Sequence, residues 1–114
     1  MEDCLFCKII SGEIPSEKVF EDELTYAFRD ITPQASTHVV VVPKEHYPDA
    51  AAMAHAAPAL AGAVLAAAGE IAAREGVAES GYRLVFNTGP DANQTVLHVH
   101  LHVLGGRPFG WPPG

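Results

Sequence analysis

The chain has 114 residues, of which 48% are hydrophobic, and a formal charge of −7 at pH 7. This length and composition are typical of one globular domain and argue against a disordered chain. The seven lysines and arginines are scattered, so the sequence offers no basic stripe for a nucleic acid backbone. It also shows no secretory signal and no uninterrupted apolar span. We therefore expect a cytoplasmic protein that binds neither nucleic acid nor membrane.

The predicted elements begin with a short helix, residues 4–11, which Gly12 and Pro15 end. In chain order there follow strands at 19–22, 25–30 and 38–43, a long alanine-rich helix at 50–73, and strands at 81–89 and 97–106. Strand 38–43 is apolar on both faces, which favours a central position in the sheet. Pro58 is read as a proline tolerated in a first helical turn. The pattern predicts an α+β domain with an antiparallel sheet and an irregular, Gly- and Pro-rich end.

The last predicted strand, LHVHLHVLGG, carries histidines at alternate positions. Strand periodicity places His98, His100 and His102 on one face and the intervening aliphatic residues in the core. The outer two rings start roughly 13 Å apart, so one metal shared by all three is geometrically awkward. A row of rings along an extended ligand fits better than a polar sheet face that is histidine-rich by chance. Histidine can act there as nucleophile, acid or hydrogen-bond donor near pH 7.

Cys4 and Cys7 form a C-x-x-C pair close to the N-terminus. A structural disulfide is a poor interpretation without a secretory signal. A zinc half-site, a redox pair and two packed thiols remain open. The redox reading is the weakest, because no strand precedes the pair as a thioredoxin-like unit requires.

The segment HVHLHVLGG resembles the motif of the histidine triad superfamily, in which hydrophobic residues separate three histidines. The segments KIISGEIPSEKVFEDE, FRDITPQASTHVVVVPKEH, GYRLVFNTG and GRPFGWPPG are similar to the branch called histidine triad nucleotide-binding proteins. This similarity covers nearly the whole chain and is weaker in the alanine-rich helix and in residues 90–93.

The resemblance implies a HIT-like fold over residues 1–114. Such a fold has a five-stranded antiparallel sheet with one long and one short helix, and the sheet continues across a homodimer. The irregular tail, residues 105–114, is expected near the dimer interface and the active site, which would give the exposed ring of Trp111 a partner surface. Members of this branch hydrolyse purine nucleoside phosphoramidates and related acyl-nucleotides to the nucleoside monophosphate.

Residue by residue, the resemblance makes His100 the nucleophile that forms a nucleotidyl-histidine, and His102 the histidine that touches the phosphate. His38 matches an upstream histidine that bonds and orients the nucleophilic ring. Asp30 matches the acid that holds the ribose hydroxyls. His98, the first histidine of the triad, belongs either to catalysis or to a metal site.

The remaining nucleotide-binding positions fall into two groups. The apolar walls around the base match Phe6, Ile9, Phe28 and Ile31. The phosphate and leaving group lie near Asn87, Asn93, Gln94, Thr95 and Val96. Thr95 stands where the family often has serine and keeps the hydroxyl, while Asn93 stands where glycine is common and tolerates a positive φ better than most residues.

The resemblance also gives the C-x-x-C a metal interpretation. Some bacterial-type members bind zinc through the same pair with two histidines, which here are His46 and His98. Cys4, Cys7, His46 and His98 would then form a closed tetrahedral structural site. Catalysis itself requires no cofactor.

Two other functions remain as alternatives. A sister branch with the same triad hydrolyses dinucleoside polyphosphates, although the WPPG end favours the phosphoramidase. A zinc-stabilised nucleotide-binding or scaffold dimer with incidental hydrolysis is the non-enzymatic alternative.

Overall fold

The computed structural model describes residues 4–114, which form three α-helices and five strands. The helices are α1 (Leu5–Ser11), α2 (Ala50–Ala56) and α3 (Pro58–Arg74), and a 3-10 turn spans Pro90–Ala92. The strands are β1 (Lys18–Glu21), β2 (Thr25–Arg29), β3 (Thr37–Pro43), β4 (Tyr82–Phe86) and β5 (Leu101–Gly105). All strand pairs are antiparallel in the order β1-β2-β3-β5-β4. The predicted α+β fold with a central β3 is confirmed.

The long predicted helix is in fact two helices that meet at Ala57. Ala57 has φ −145° and ψ 71°, outside the helical region, and both flanking helices end on it. The physical reason is Pro58, which disfavours a helical conformation in the residue before it and cannot donate the next hydrogen bond of the helix. The prediction that Pro58 lies in a first helical turn is correct for α3. The prediction of one continuous helix over 50–73 was wrong.

The sheet separates two apolar clusters because its central strand alternates. Val39 and Val41 face the large core beneath α2 and α3, whereas Val40 and Val42 face a smaller cluster covered by α1. The smaller cluster consists of Phe6, Ile9, Tyr26, Phe28, Val40 and Val42. Helix α1 therefore covers this face of the sheet, and the candidate site lies beside the helix.

The histidine segment reaches the sheet later than predicted. Strand β5 begins only at Leu101, so His98 and His100 lie in the segment that precedes the strand and His102 lies within it, opposite Val40 and Val85. The predicted alternation nevertheless holds. Val99, Leu101 and Val103 are buried in the α3-side core, which leaves the histidines to the other face.

A bidentate ion pair ties the sheet to the end of α3. Arg29 Nη1 and Nη2 donate to the two carboxylate oxygens of Glu75 at 2.8 and 3.0 Å, and Arg29 Nε donates to Glu17 at 3.1 Å. Hydrogen bonding to Arg29 lowers the pKa of Glu75, so the carboxylate stays ionised.

Within residues 4–114, no helix has both the length and the hydropathy needed to cross a bilayer.

Candidate active site

A cavity of about 570 Å³ opens between α1, the turn after β2 and the loop before β5. Its apolar lining includes Phe6, Ile9, Phe28 and Val40. Its polar lining consists of Asp30, Gln34, His38, Asn87, Asn93, Thr95, His100 and His102. A cavity lined by apolar side chains together with imidazoles and amides suits a ligand that carries both a flat ring and a charged group.

His100 is held in one tautomer by its own chain segment. Its Nδ1 lies 2.8 Å from the backbone oxygen of His98, and a carbonyl can only accept, so Nδ1 carries the hydrogen. The lone pair is then on Nε2, since the neutral ring has one N–H. Phe6 packs edge-on against this ring with centroids 4.9 Å apart. His100 is therefore a fixed, buried imidazole whose free nitrogen can act as a nucleophile.

His38 contacts His102, and not the ring of His100 that we expected it to orient. His38 Nε2 lies 2.9 Å from His102 Nδ1. The backbone N–H of Gln34 donates to His38 Nδ1 at 3.0 Å, which leaves the His38 hydrogen on Nε2. His38 Nε2–H then donates to His102 Nδ1, so the hydrogen of a neutral His102 is on Nε2. The expected role of His38 as direct partner of His100 is thus replaced by control of the His102 tautomer.

Burial keeps these imidazoles neutral at physiological pH. Desolvation and the neighbouring imidazoles His100 and His38 lower the pKa of His102 to about 4. Burial also lowers the pKa values of His38 and His100, although the carboxylate of Asp30 partly opposes both shifts. A neutral ring is the form that His100 needs to attack an electrophile.

The loop before β5 is braced by side-chain amides. Asn87 Nδ2 donates to the oxygen of Ala92 at 2.9 Å, and Asn93 adopts φ 64°, in the left-handed region. Gln94 Oε1 accepts from Gly89 N–H, while its Nε2 donates to the oxygens of Pro48 and Val96. Asn87, Asn93, Thr95 and Val96 line the cavity, whereas Gln94 does not. The side chain of Gln94 therefore supports the loop from outside.

Asp30 and Ile31 lie at the cavity's edge, after β2. One oxygen of Asp30 accepts the Thr32 N–H at 2.8 Å, and the other lies 3.5 Å from His38 Nε2. Ile31 is 98% exposed and borders the cavity from the solvent side. Both predicted residues are therefore brought to the site, with Asp30 held beside His38.

Four possible metal ligands converge at the other end of the histidine segment. His98 Nδ1 lies 3.3 Å from Cys4 Sγ, 3.5 Å from Cys7 Sγ and 3.1 Å from His46 Nδ1. All four ligand atoms are within 4.8 Å of one another. The structure thus brings together the complete predicted set, and the group could hold one metal ion.

The hydrogen bond on the far side of His98 fits a ligand role. His98 Nε2 donates to the oxygen of Pro43 at 2.9 Å, so Nδ1 keeps its lone pair toward the cysteines. Burial and the hydrogen bond to Cys4 raise the pKa of the Cys7 thiol. A bound cation would instead lower the pKa of the Cys7 thiol, because a cation stabilises the thiolate. His98 thus serves the metal-ligand group through its ring and His100 through its backbone oxygen.

Gln34 and Val40 are site residues that sequence reasoning missed. Gln34 contacts His38 through its backbone N–H, and a backbone contact cannot be read from the residue type. Val40 was assigned to a strand apolar on both faces, and one of those faces is the cavity wall. The one signal in the sequence for a contact between Gln34 and His38 was that they lie only four residues apart.

The family comparison agrees with this geometry. The HIT domain family matches residues 11–109. A HIT-like protein of Synechocystis is 50% identical over 99% of this chain and 98% of its own. The purine nucleoside phosphoramidase of Escherichia coli K12 is 45% identical over 96% of this chain and 92% of its own.

Solved structures give the same result. A HIT family hydrolase from Legionella pneumophila superposes with a TM-score of 0.94 at 49% identity, covering 98% of this chain and 100% of its own. A histidine triad protein from Clostridium difficile gives a TM-score of 0.92 at 38% identity, over 96% of each chain. The fold and the buried histidine site thus define a HIT-domain protein, and this chain belongs to the HIT family. Two of these similar proteins carry the names of enzymes, a HIT family hydrolase and a purine nucleoside phosphoramidase.

Proposed function

We propose that this protein hydrolyses purine nucleoside 5′-phosphoramidates and related acyl-nucleotides to the nucleoside monophosphate. The observation that carries the proposal is the tautomer of His100, whose unprotonated Nε2 belongs to a ring lining a cavity with both apolar and polar walls. The cavity volume of about 570 Å³ is within the usual range for small-molecule sites. The 45% identity to a protein named purine nucleoside phosphoramidase supports this choice of substrate.

The apolar and polar parts of the cavity lining match the parts of such a substrate. The base would lie among Phe6, Ile9, Phe28 and Ile31, where stacking and apolar contact favour a large flat ring. The ribose hydroxyls would donate to Asp30. The α-phosphate would then reach the imidazoles, because the apolar walls and His100 line the same cavity.

In the first chemical step, the Nε2 lone pair of His100 attacks the α-phosphorus and an Nε2–P bond forms. The P–N bond to the leaving amine breaks, and the amine departs with a proton supplied by solvent or already carried on the substrate nitrogen, which balances the proton released in the second step. The ring of His100 becomes cationic and keeps its Nδ1 hydrogen, which the oxygen of His98 accepts throughout. That fixed acceptor stabilises the positive charge as it develops.

In the second step, water attacks phosphorus, the Nε2–P bond breaks and neutral His100 is restored. The water's hydroxyl stays on the nucleoside monophosphate, and its other proton is released. His102 Nε2–H, Asn87 and Thr95 would donate to the phosphate oxygens and leaving group during both steps. Such directed donors are usually the largest catalytic contribution.

The Cys4, Cys7, His46 and His98 group supports structural zinc as the metal. Around tetrahedral zinc, sulfur and nitrogen ligands lie about 3.5 Å apart, given bond lengths of about 2.3 and 2.0–2.1 Å. The S···N distances of 3.3, 3.5 and 3.6 Å fit this arrangement. A closed site with four protein ligands leaves no position for substrate, so the metal's contribution would be to hold α1.

A homodimer is the proposed assembly, joined along β4. This strand is at the sheet's edge, and Leu84 on it is 38% exposed. Trp111, 85% exposed in the tail, would gain a partner surface there. Residues 1–114 would act as one cytoplasmic HIT domain within that dimer. Light scattering on wild type and on Leu84→Lys tests the assembly, because a charge at the edge should yield monomers.

The deciding assay compares adenosine 5′-phosphoramidate with diadenosine tetraphosphate. We expect the phosphoramidate to be the better substrate and His100→Ala to lower its turnover by about a thousandfold or more. His55→Ala is the matched control, since His55 is exposed on α2 away from the cavity. Preference for the tetraphosphate would favour the sister activity. If the His100→Ala variant were as active as wild type, both hydrolase mechanisms would be wrong, and the nucleotide-binding dimer would be the remaining hypothesis.

A further inference from the structure

The C-terminal segment after β5 is fastened to the turn that follows β2. Arg107 Nε donates to the backbone oxygen of Gln34 at 3.0 Å, and its Nη1 donates to Pro108 O at 3.0 Å. The guanidinium lies over the ring of Phe109, 4.2 Å from the centroid. The planar head of Arg107 is thus immobilised by two hydrogen bonds and one stacking contact, although the residue is exposed.

A second arginine holds the same ring from β4. Arg83 lies 5.1 Å from the Phe109 centroid and donates through Nη2 to Gly110 O at 2.7 Å. Phe109 therefore contacts two guanidinium groups. Arg83 fixes the segment to the sheet, and Arg107 fixes it to the turn. The bond from Arg107 to Gln34 joins the tail to a part of the chain 73 residues earlier, and the bond from Arg83 to Gly110 spans 27 residues.

The residue that Arg107 holds is the one that sets the tautomer of the histidine pair. Gln34 N–H donates to His38 Nδ1, and His38 Nε2 donates to His102 Nδ1. The Gln34 side chain anchors the turn from within by donating to Thr32 O at 2.9 Å. From Arg107 to His102 the structure thus contains three consecutive hydrogen bonds, each about 3 Å long.

We propose that Arg107 is a positioning residue for the active site. By fixing Gln34, it keeps the hydrogen of His38 on Nε2 and consequently the hydrogen of His102 on Nε2, facing the ligand. Without Arg107 the turn keeps its internal bonds but loses this anchor to the tail. His38 Nδ1 then loses a firmly placed donor, and both tautomers of the pair become populated. The catalytic consequence rests on the proposed hydrolase function, whereas the tautomer does not.

The test is nitrogen NMR of ¹⁵N-histidine-labelled protein near pH 7, without ligand. In wild type, His102 should show a protonated Nε2 and an unprotonated Nδ1. In Arg107→Ala we expect the two nitrogen shifts of His102 to move toward each other, and turnover of adenosine 5′-phosphoramidate to fall about tenfold with KM within about twofold. Arg107→Lys keeps a donor but loses the planar stack, and should lie between the two. Arg74→Ala, at an exposed position of α3, is the control and should match wild type.

Two results would overturn the proposal. One is an Arg107→Ala spectrum with the wild-type tautomer of His102, and the other is a loss confined to KM. If Arg107→Ala does not fold, the comparison of Arg107→Lys with wild type decides by the same criteria. Should wild type show the expected tautomer but cleave no phosphoramidate, the proposed function alone fails, because the spectra need no substrate.

Discussion

His100 donates its Nδ1 hydrogen to the backbone oxygen of His98 across 2.8 Å, so the proposed nucleophile and the proposed metal ligand are joined by a hydrogen bond. The ring of His98 is fully buried and faces Cys4, while its peptide faces the active site. An interaction that holds the ring of His98 in place therefore also helps to hold its backbone oxygen, which accepts the hydrogen bond from His100. The row of three histidines is consequently divided between two neighbouring sites.

The first prediction concerns the metal. Purified protein should contain about one zinc per chain, and Cys7→Ser should contain almost none, because one of four ligands is lost. The thermal midpoint of the variant should fall by about 5 °C or more. Metal analysis and calorimetry check both. His55→Ser should keep its zinc, and a metal-free wild type would rule out the assignment.

The second prediction concerns acid stability. Because the pKa of His102 is about 4 in the folded protein and ordinarily 6.5, the unfolded chain takes up the proton first as pH falls below 6.5. The free energy of unfolding should therefore decrease between about pH 6.5 and 4, by up to about 1.4 kcal/mol per pH unit for each such histidine.

Urea unfolding at about pH 7, 6 and 5 measures this dependence. His102→Asn should give a shallower decline than wild type. The carboxylates Glu75 and Asp22 do not account for the difference, since their pKa values are lowered from 4.5 and 3.8 and their stabilisation is lost only at more acid pH. Parallel curves for the two proteins would contradict the depressed pKa of His102.

The third prediction concerns the ion pair between Arg29 and Glu75. Arg29→Met should lower the free energy of unfolding by about 1–2 kcal/mol, because it leaves the largely buried carboxylate without its two donors. Lys18→Met removes an exposed partner of Glu21 and should cost no more than about 0.5 kcal/mol. Chemical unfolding compares them, and equal losses would show that the Glu75 pair has no special weight.

The fourth prediction concerns the backbone of Asn93, whose φ is 64°. Asn93→Gly should be at least as stable as wild type, whereas Asn93→Ala should lose about 1 kcal/mol because alanine tolerates this conformation poorly. Phosphoramidate turnover should follow the same order, since the loop lines the cavity. If alanine and glycine behaved alike in both assays, the left-handed backbone would have no energetic importance.

Periodicity and motif resemblance predicted the residues that gather at the site, but not all their partners. The alternation in LHVHLHVLGG correctly assigned Val99, Leu101 and Val103 to the core. Residue types could not reveal that His38 faces His102, because ring orientation depends on the backbone N–H of Gln34. The break at Ala57 was predictable, since the residue before a proline resists helical geometry, and the high alanine content concealed it.

Helix α1 and its N-cap contribute residues both to the wall of the cavity and to the group of possible metal ligands. Phe6 stands between Cys4 and Cys7, contacts the ring of His100, and belongs to the cluster that covers the sheet. A seven-residue helix has little stability of its own. A protease that cut the exposed connection at residues 12–17 should therefore remove Phe6 and Ile9 of the proposed base pocket and two of the four proposed metal ligands together, while the five strands stayed paired. Nucleotide binding and metal content should decline at the same rate during such a digestion.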